Sequence, residues 1–184
     1  LRPGPAYGGS CFPKDTKGLV SAADKFKTNL SIVKAVIKSN HYRVNLLTKR
    51  VHKILGNNLR GKRISILGVT FKPNTDDMRD STSLNMLPYL SKRGAIISYY
   101  DPSGEKNEFT KLLNCKFSKN IKENCLNADL IILLTEWDEF KSIDFKKAVK
   151  KKNFKIYDLR NIYTRDEMKK NKIKYYSIGR PDVN

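Results

Sequence analysis

Between positions 31 and 55, apolar residues recur at helical spacing: Val33, Val36, Ile37, Val44, Leu47, Val51, Ile54 and Leu55. Intervals of three, four and seven place them on one stripe of a helix. Ser31 is a candidate cap at its start, and Gly56 with Asn57 ends it. A helix of about 25 residues is about 37 Å long, more than a small core needs. Beyond Gly61 the pattern changes. Lys62-Arg63-Ile64-Ser65-Ile66-Leu67-Gly68 is a basic entry into a short buried strand. Further strands are predicted over 95–100, 129–135, 154–157 and 174–177, with helices over 81–93, 105–113, 121–127, 138–151 and 165–171. The unbroken apolar run Leu130-Ile131-Ile132-Leu133-Leu134 suits a parallel strand covered on both faces. Residues 1–15 are rich in Gly and Pro and predict a loop. A short helix then runs to about Lys25, with Asp15 as its N-cap.

Strands alternating with helices give an α/β chain: a long central helix followed by a doubly wound, mainly parallel, Rossmann-like sheet. The expected division is 1–60 for loop and helix and 61–184 for the sheet domain. Such sheets bind ligands at the carboxyl ends of their strands. That rule gathers the loops after Gly68, Tyr100, Thr135 and Tyr157 on one rim.

Composition narrows the function classes. The chain has 184 residues, 39% of them hydrophobic, which is enough for a real core. No apolar run approaches the roughly 18 residues that span a bilayer. The net charge is +19, but the lysines are spread along the chain. Even the densest run, Lys146 to Lys155, reads as a solvated face. No zinc-finger spacing or RNA-binding aromatic signature accompanies it. Neither nucleic acid nor membrane is therefore an expected partner. The three cysteines, Cys11, Cys115 and Cys125, have no metal-ligand spacing, so no metal is expected. Their odd number fits a reducing cytoplasm.

The candidate chemistry begins at Gly8-Gly9-Ser10-Cys11-Phe12-Pro13-Lys14-Asp15. Cys11 is a candidate nucleophile, because a cation near a thiol favours the reactive thiolate. Lys14 is the candidate cation and Asp15 a candidate base or water-orienting group. The bland alternatives are a buried free thiol and a capping aspartate. Gly8 and Gly9 allow close ligand approach. After the first predicted strand, Lys72 and Arg79 precede a helix start near Ser81 and can bind phosphate. Alternatively, Arg79 pairs with Asp76, Asp77 or Asp80. Arg160 follows another strand and either holds phosphate or a base edge, or pairs with Asp158 or Asp166. His41 and His52 both fall on the long helix and read as surface or packing residues. Trp137 reads as core rather than pocket.

The segment Pro3 to Asp15 resembles the active-site loop of the nucleotide-sugar 6-dehydrogenases. Three further stretches are similar to that family: Phe71-Lys72 through Arg79-Asp80-Ser81, Thr135-Glu136-Trp137-Asp138, and Tyr157-Asp158-Leu159-Arg160-Asn161. The resemblance implies oxidation of a sugar's primary alcohol to a carboxylate in two NAD-dependent steps. Cys11 would form thiohemiacetal and thioester intermediates, assisted by Lys14 and Asp15. Arg2, Tyr7, Gly8, Phe71, Lys72 and Arg160 would contact the nucleotide sugar. Cys11, Lys14 and Arg79 would face the NAD cofactor. UDP-glucose is the expected substrate, with GDP-mannose and UDP-N-acetylhexosamines as alternatives. A homodimer through the helix 31–55 is also implied. The ten glycines form no Gly-x-Gly-x-x-Gly run, so the NAD-binding domain is expected upstream. The chain then reads as the C-terminal part of a longer enzyme, inactive alone. The rival reading is a non-catalytic nucleotide-sugar-binding or dimerisation module.

Overall fold

A computed structural model describes residues 4–183. Arg2, an expected substrate contact, lies outside them. The chain opens with two helices, α1 (Phe12–Lys25) and α2 (Ser31–Ile54). There follow β1 (Arg63–Leu67), α3 (Ser83–Ser91), β2 (Ile96–Tyr100), β3 (Cys115–Phe117), α4 (Ile121–Cys125) and β4 (Leu130–Leu133). The chain closes with α5 (Phe145–Ala148), β5 (Lys155–Asp158), α6 (Arg165–Lys170) and β6 (Lys174–Ser177). The six strands form one sheet in the order β3-β2-β1-β4-β5-β6, and every neighbouring pair is parallel. This is the doubly wound arrangement, with its switch point between β1 and β4.

Both faces of the sheet are covered. Ile64 and Ile66 of β1, with Leu130 and Ile132 of β4, pack against Val51 and Ile54 of α2 and Met86, Leu87 and Leu90 of α3. Ile131 and Leu133 point the other way, into a cluster with Phe140, Phe145, Ile156, Met168 and Tyr175. The alternation explains why β4 is apolar at every position: each neighbouring side chain meets a different core.

The carboxyl ends of the strands are tied by buried carboxylates. Asp101, just after β2, accepts the backbone N–H groups of Val69 at 2.7 Å and Thr70 at 3.2 Å. Asp158, at the end of β5, accepts from the N–H groups of Arg160 and Tyr163, and the Tyr175 hydroxyl lies 2.8 Å from its Oδ2. Burial still dominates Asp158 and pushes its carboxyl above the ordinary aspartate value, although those hydrogen bonds pull the other way.

Several predicted boundaries change. Helix α1 starts at Phe12, so Cys11 occupies the cap position and Asp15 lies in the first turn. Asp15 caps nothing; its N–H donates to the Cys11 carbonyl. Pro13 at the second helical position fits this earlier start, where its missing N–H is harmless. Ser31 is the first residue of α2, not its cap, and its N–H is accepted by Asn29. The predicted helix at 105–113 reduces to a single 3₁₀ turn, Asn107–Phe109. The one at 138–151 becomes a 3₁₀ turn and the four-residue α5. The sequence pattern also missed β3, an edge strand of three residues too short to show a period.

The Asp158 network yields a pH prediction. Asp158→Asn should cost about 1–3 kcal/mol, because the amide cannot accept every donor. A raised folded pKa means that the folded state holds the proton more tightly. The wild-type advantage over the Asn variant should thus be largest below the usual aspartate range. It should decline as pH rises through the folded value. Urea unfolding of both proteins across that range checks the sign.

Candidate functional site

The site is built where the loops after β1, β4 and β5 meet the N-terminal loop. The stretch after β1 is fixed atom by atom. The hydroxyls of Ser81 and Ser83 each lie 2.6 Å from the Val69 carbonyl. Thr135 Oγ1 donates to the Thr70 carbonyl at 2.6 Å. Arg160 gives one terminal nitrogen to the Phe71 carbonyl and its Nε to the Leu134 carbonyl, each at 2.8 Å. Its Nε also lies 2.9 Å from Glu136 Oε2, although that proton is directed at Leu134. Burial pulls the guanidinium below its ordinary pKa, while Glu136 and Asp158 oppose the shift. The ion-pair partner is therefore Glu136, rather than the side chains of Asp158 or Asp166. From Arg160, Asp158 receives only the backbone N–H.

The N-terminal loop packs onto this platform through contacts that exclude side chains. A Cβ on Gly8 would sit 2.4 Å from the Asp80 carbonyl oxygen. One on Gly9, whose φ is +89°, would fall 2.7 Å from the Phe71 ring. Both glycines are therefore required by contact, and Gly9 also by backbone angle. The Gly9 N–H donates to the Arg79 carbonyl at 2.8 Å. On its other side the loop is held by α2. Asn40 bonds both backbone groups of Tyr7 at 3.0 Å, and Arg43 Nε donates to the Pro5 carbonyl at 2.6 Å.

Of the three thiols, only Cys11 is exposed. Its Sγ lies 3.5 Å from Ser10 Oγ. Burial pushes Cys115 up to about 12 and Cys125 up to about 11, which leaves both as poor nucleophiles near neutral pH. Lys14 and Asp15 sit on the first turn of α1 and face each other at 3.6 Å. Arg79 is forked onto Asp77, with Nε and a terminal nitrogen at 2.9 and 2.8 Å from its two oxygens. That hydrogen bond is the main cause of the raised Arg79 pKa, and Cys11 also contributes. The Arg79–Asp77 pair realises the surface-loop alternative within this chain.

An open cleft of about 570 Å³ runs along the junction. Tyr7, Gly8, Phe71, Lys72 and Arg160, all named from the sequence, line it. Asn40, Arg43 and Glu136 line it too and were not anticipated as site residues. Asn40 and Arg43 escaped notice because a helical stripe shows only its apolar face. Glu136 lay inside a recognised segment and had the charge to suggest a partner for Arg160. Lys72 is exposed, with Nζ 5.4 Å from the centre of the Phe71 ring. Trp137 packs against the second core cluster, as expected, and is not among the cleft residues. His41 is exposed, and His52 packs edge-on to Tyr89. A separate depression between α5 and α6 shares no residue with the cysteine loop. No cluster able to hold a metal ion occurs among the described residues, and no helix there is long and apolar enough to cross a membrane.

Comparison with known proteins gives this geometry a context. Residues 65–165 match the UDP binding domain of the UDP-glucose/GDP-mannose dehydrogenase family, and residues 1–42 match that family's central domain. A UDP-glucose 6-dehydrogenase of Rhizobium meliloti is 40% identical over 185 aligned residues, covering 99% of this chain and 42% of the relative. One from Rickettsia typhi is 36% identical over 97% of this chain and 42% of its own length. Among solved structures, an NDP-N-acetyl-D-galactosaminuronic acid dehydrogenase from Methanosarcina mazei superposes with a TM-score of 0.82 at 28% identity, covering 98% of this chain and 40% of that one. A UDP-glucose dehydrogenase from Pyrobaculum islandicum gives 0.78 at 27%, covering 95% and 38%. The chain spans about two-fifths of the length of these relatives. With the family's domains matched in order along it, the chain belongs to the UDP-glucose/GDP-mannose dehydrogenase family.

Proposed function

We propose that this chain supplies the cysteine nucleophile and nucleotide-sugar cleft of an NAD-dependent UDP-glucose 6-dehydrogenase, which converts UDP-glucose to UDP-glucuronate. One observation carries the reading: the exposed Cys11 is held at the end of a loop whose other residues wall a cleft bearing Arg43, Lys72 and Arg160. Three cations against the single carboxylate of Glu136 suit a diphosphate. UDP-glucose is favoured within the family because relatives of that name reach 36–40% identity along nearly the whole chain.

Oxidising a primary alcohol to a carboxylate removes two hydrides. NAD, bound mainly by a domain outside this chain, would supply the hydride acceptor. Cys11, Lys14 and Arg79 are the residues here that would face it. The three suit that task, since all are exposed and the Arg79 carbonyl holds the Gly9 N–H, two residues before Cys11. An aldehyde resists loss of a second hydride until a nucleophile adds to its carbon. The Cys11 thiolate forms that C–S bond and gives a thiohemiacetal, whose oxidation leaves a thioester. Water then adds at the thioester carbon, the C–S bond breaks, and carboxylate and thiolate are released. Lys14 favours negative charge near the reacting oxygen. Asp15 orients or deprotonates the water.

The assembly in this reading is a homodimer through the helix 31–55. Ile32, Val36, Tyr42 and Leu46 are exposed on α2. At 100° per residue they fall within one arc beside the buried stripe. Phe12, Leu19 and Phe26 of α1 are exposed as well. An apolar surface of this kind marks an interaction site.

The complete enzyme should form two NADH per UDP-glucose consumed, and none from GDP-mannose or UDP-N-acetylglucosamine. Turnover of another sugar alone would keep the family and overturn this substrate; silence from all three would favour a binding module. Cys11→Ser should abolish net acid formation, and undiminished turnover would remove the nucleophile. Lys72→Ala should raise KM for the nucleotide sugar about tenfold, equivalent to about 1.4 kcal/mol, with kcat largely kept. An unchanged KM would exclude Lys72 from binding. Light scattering should report a dimer of the complete enzyme that Tyr42→Glu with Leu46→Glu disperses; a strictly monomeric wild type would remove the interface.

A further inference from the structure

We propose that Asn40, supported by Arg43, is a positioning residue that sets the placement of the cysteine loop from helix α2. The catalytic consequence rests on the dehydrogenase reading above.

A carboxamide offers one acceptor and a donor in a single plane. Asn40 uses both on one residue: Oδ1 accepts the Tyr7 N–H, and Nδ2 donates to the Tyr7 carbonyl, each at 3.0 Å. The pairing reproduces what a neighbouring strand would give, but from a helix 33 residues away in sequence. It fixes the Tyr7 peptide units on both sides. The Tyr7 ring meets the Phe12 ring edge-on, with centroids 4.7 Å apart. Phe12 directly follows Cys11 and opens α1. The path from Asn40 to the thiol is therefore short: amide to Tyr7 backbone, Tyr7 ring to Phe12, Phe12 to Cys11.

The segment between needs such a tie. Gly8 and Gly9 lose more conformational freedom on ordering than other residues. Gly9 is held from the opposite side, by its hydrogen bond to the Arg79 carbonyl. Asn40 and Arg79 thus grip adjacent points of one loop from two different elements. Arg43, one turn beyond Asn40 on α2, adds bonds to the Pro5 and Gly4 carbonyls at 2.6 and 3.4 Å. Asn40 continues the line of Val44, Leu47 and Val51 one turn earlier, at a place where that face of α2 meets the loop instead of the sheet. The polarity of Asn40 and Arg43 serves the loop.

The test compares Asn40→Ala and Asn40→Asp with the wild type in the complete enzyme. Asp keeps the acceptor for the Tyr7 N–H and loses the donor. Hydrogen exchange at the Tyr7 and Gly9 amides should accelerate about tenfold or more in Asn40→Ala and less in Asn40→Asp. The Gly9 amide is the decisive one, because Asn40 does not touch it. Displacement of a reacting group by about 1 Å can cost about a hundredfold. Accordingly kcat should fall about tenfold to a hundredfold while KM for UDP-glucose stays within about threefold. Unchanged Gly9 exchange, or an unchanged kcat, would overturn the proposal. So would a uniform loss of kcat, affinity and melting temperature in both variants, which is the mark of a structural role only. If the wild-type enzyme oxidises no nucleotide sugar, the dehydrogenase reading fails separately, and the exchange of Gly9 still decides whether Asn40 places the loop.

Discussion

Where the strands of a parallel sheet end, their last carbonyls leave the ladder and must find donors elsewhere. Here that demand is met by side chains reaching across the switch point between β1 and β4. Thr135 serves the Thr70 carbonyl, and Arg160 serves both Phe71 and Leu134. Asp101 receives the N–H groups that the same bend exposes. The charge-assisted ones among them, from Arg160 and to Asp101, contribute about 1.5–3 kcal/mol each. They also set the direction in which Phe71 and Lys72 leave the sheet. The cysteine loop packs on Phe71 and Asp80, so its place depends on how these strand-end groups are satisfied.

Arg160 therefore has two tasks that share one guanidinium. Its Nε and one terminal nitrogen are committed to backbone oxygens, and Glu136 balances its charge. Desolvation works against an ion in this position. The fork remains charged because its partners are fixed before any ligand arrives. A preordered cation beside an open cleft suits an anionic ligand, since little further ordering is needed on binding.

Helix α2 joins this arrangement to the rest of the molecule through three groups of side chains. The buried stripe of Val44, Leu47, Val51 and Ile54 seats it on the sheet. The polar positions Asn40 and Arg43 grip the loop. Ile32, Val36, Tyr42 and Leu46 leave apolar side chains exposed along the helix. Helix α2 thus connects the sheet to the backbone that carries Cys11.

Periodicity and punctuation sufficed for the larger elements. The helical stripe predicted α2, the apolar run predicted a buried β4, and alternating elements predicted a doubly wound sheet. Hydrophobic burial dictates those patterns directly, so they are written in consecutive residues. The cysteine segment stood out for a related reason: Gly8 and Gly9 allow close contacts that a side chain would block, and Cys11 is an exposed thiol. Short elements were not legible. Three residues of β3 or four of α5 hold no period and form because neighbours already in place complete their hydrogen bonds. The start of α1 was misjudged because Asp15 is a good cap in isolation, whereas the loop's attachment to Arg79 and Asn40 lets the helix begin earlier. Pairings across the fold were hidden for the same reason. Nothing in the local sequence says that Asn40 meets Tyr7, that Arg160 reaches Phe71, or that the Arg79 carbonyl holds Gly9. Sequence by itself determined the sheet, the long helix and the glycine-rich loop before Cys11, because burial pattern and residue type are local properties. Only the tertiary structure decided which polar groups satisfy one another, because a hydrogen bond depends on where the folded chain brings its donor and acceptor.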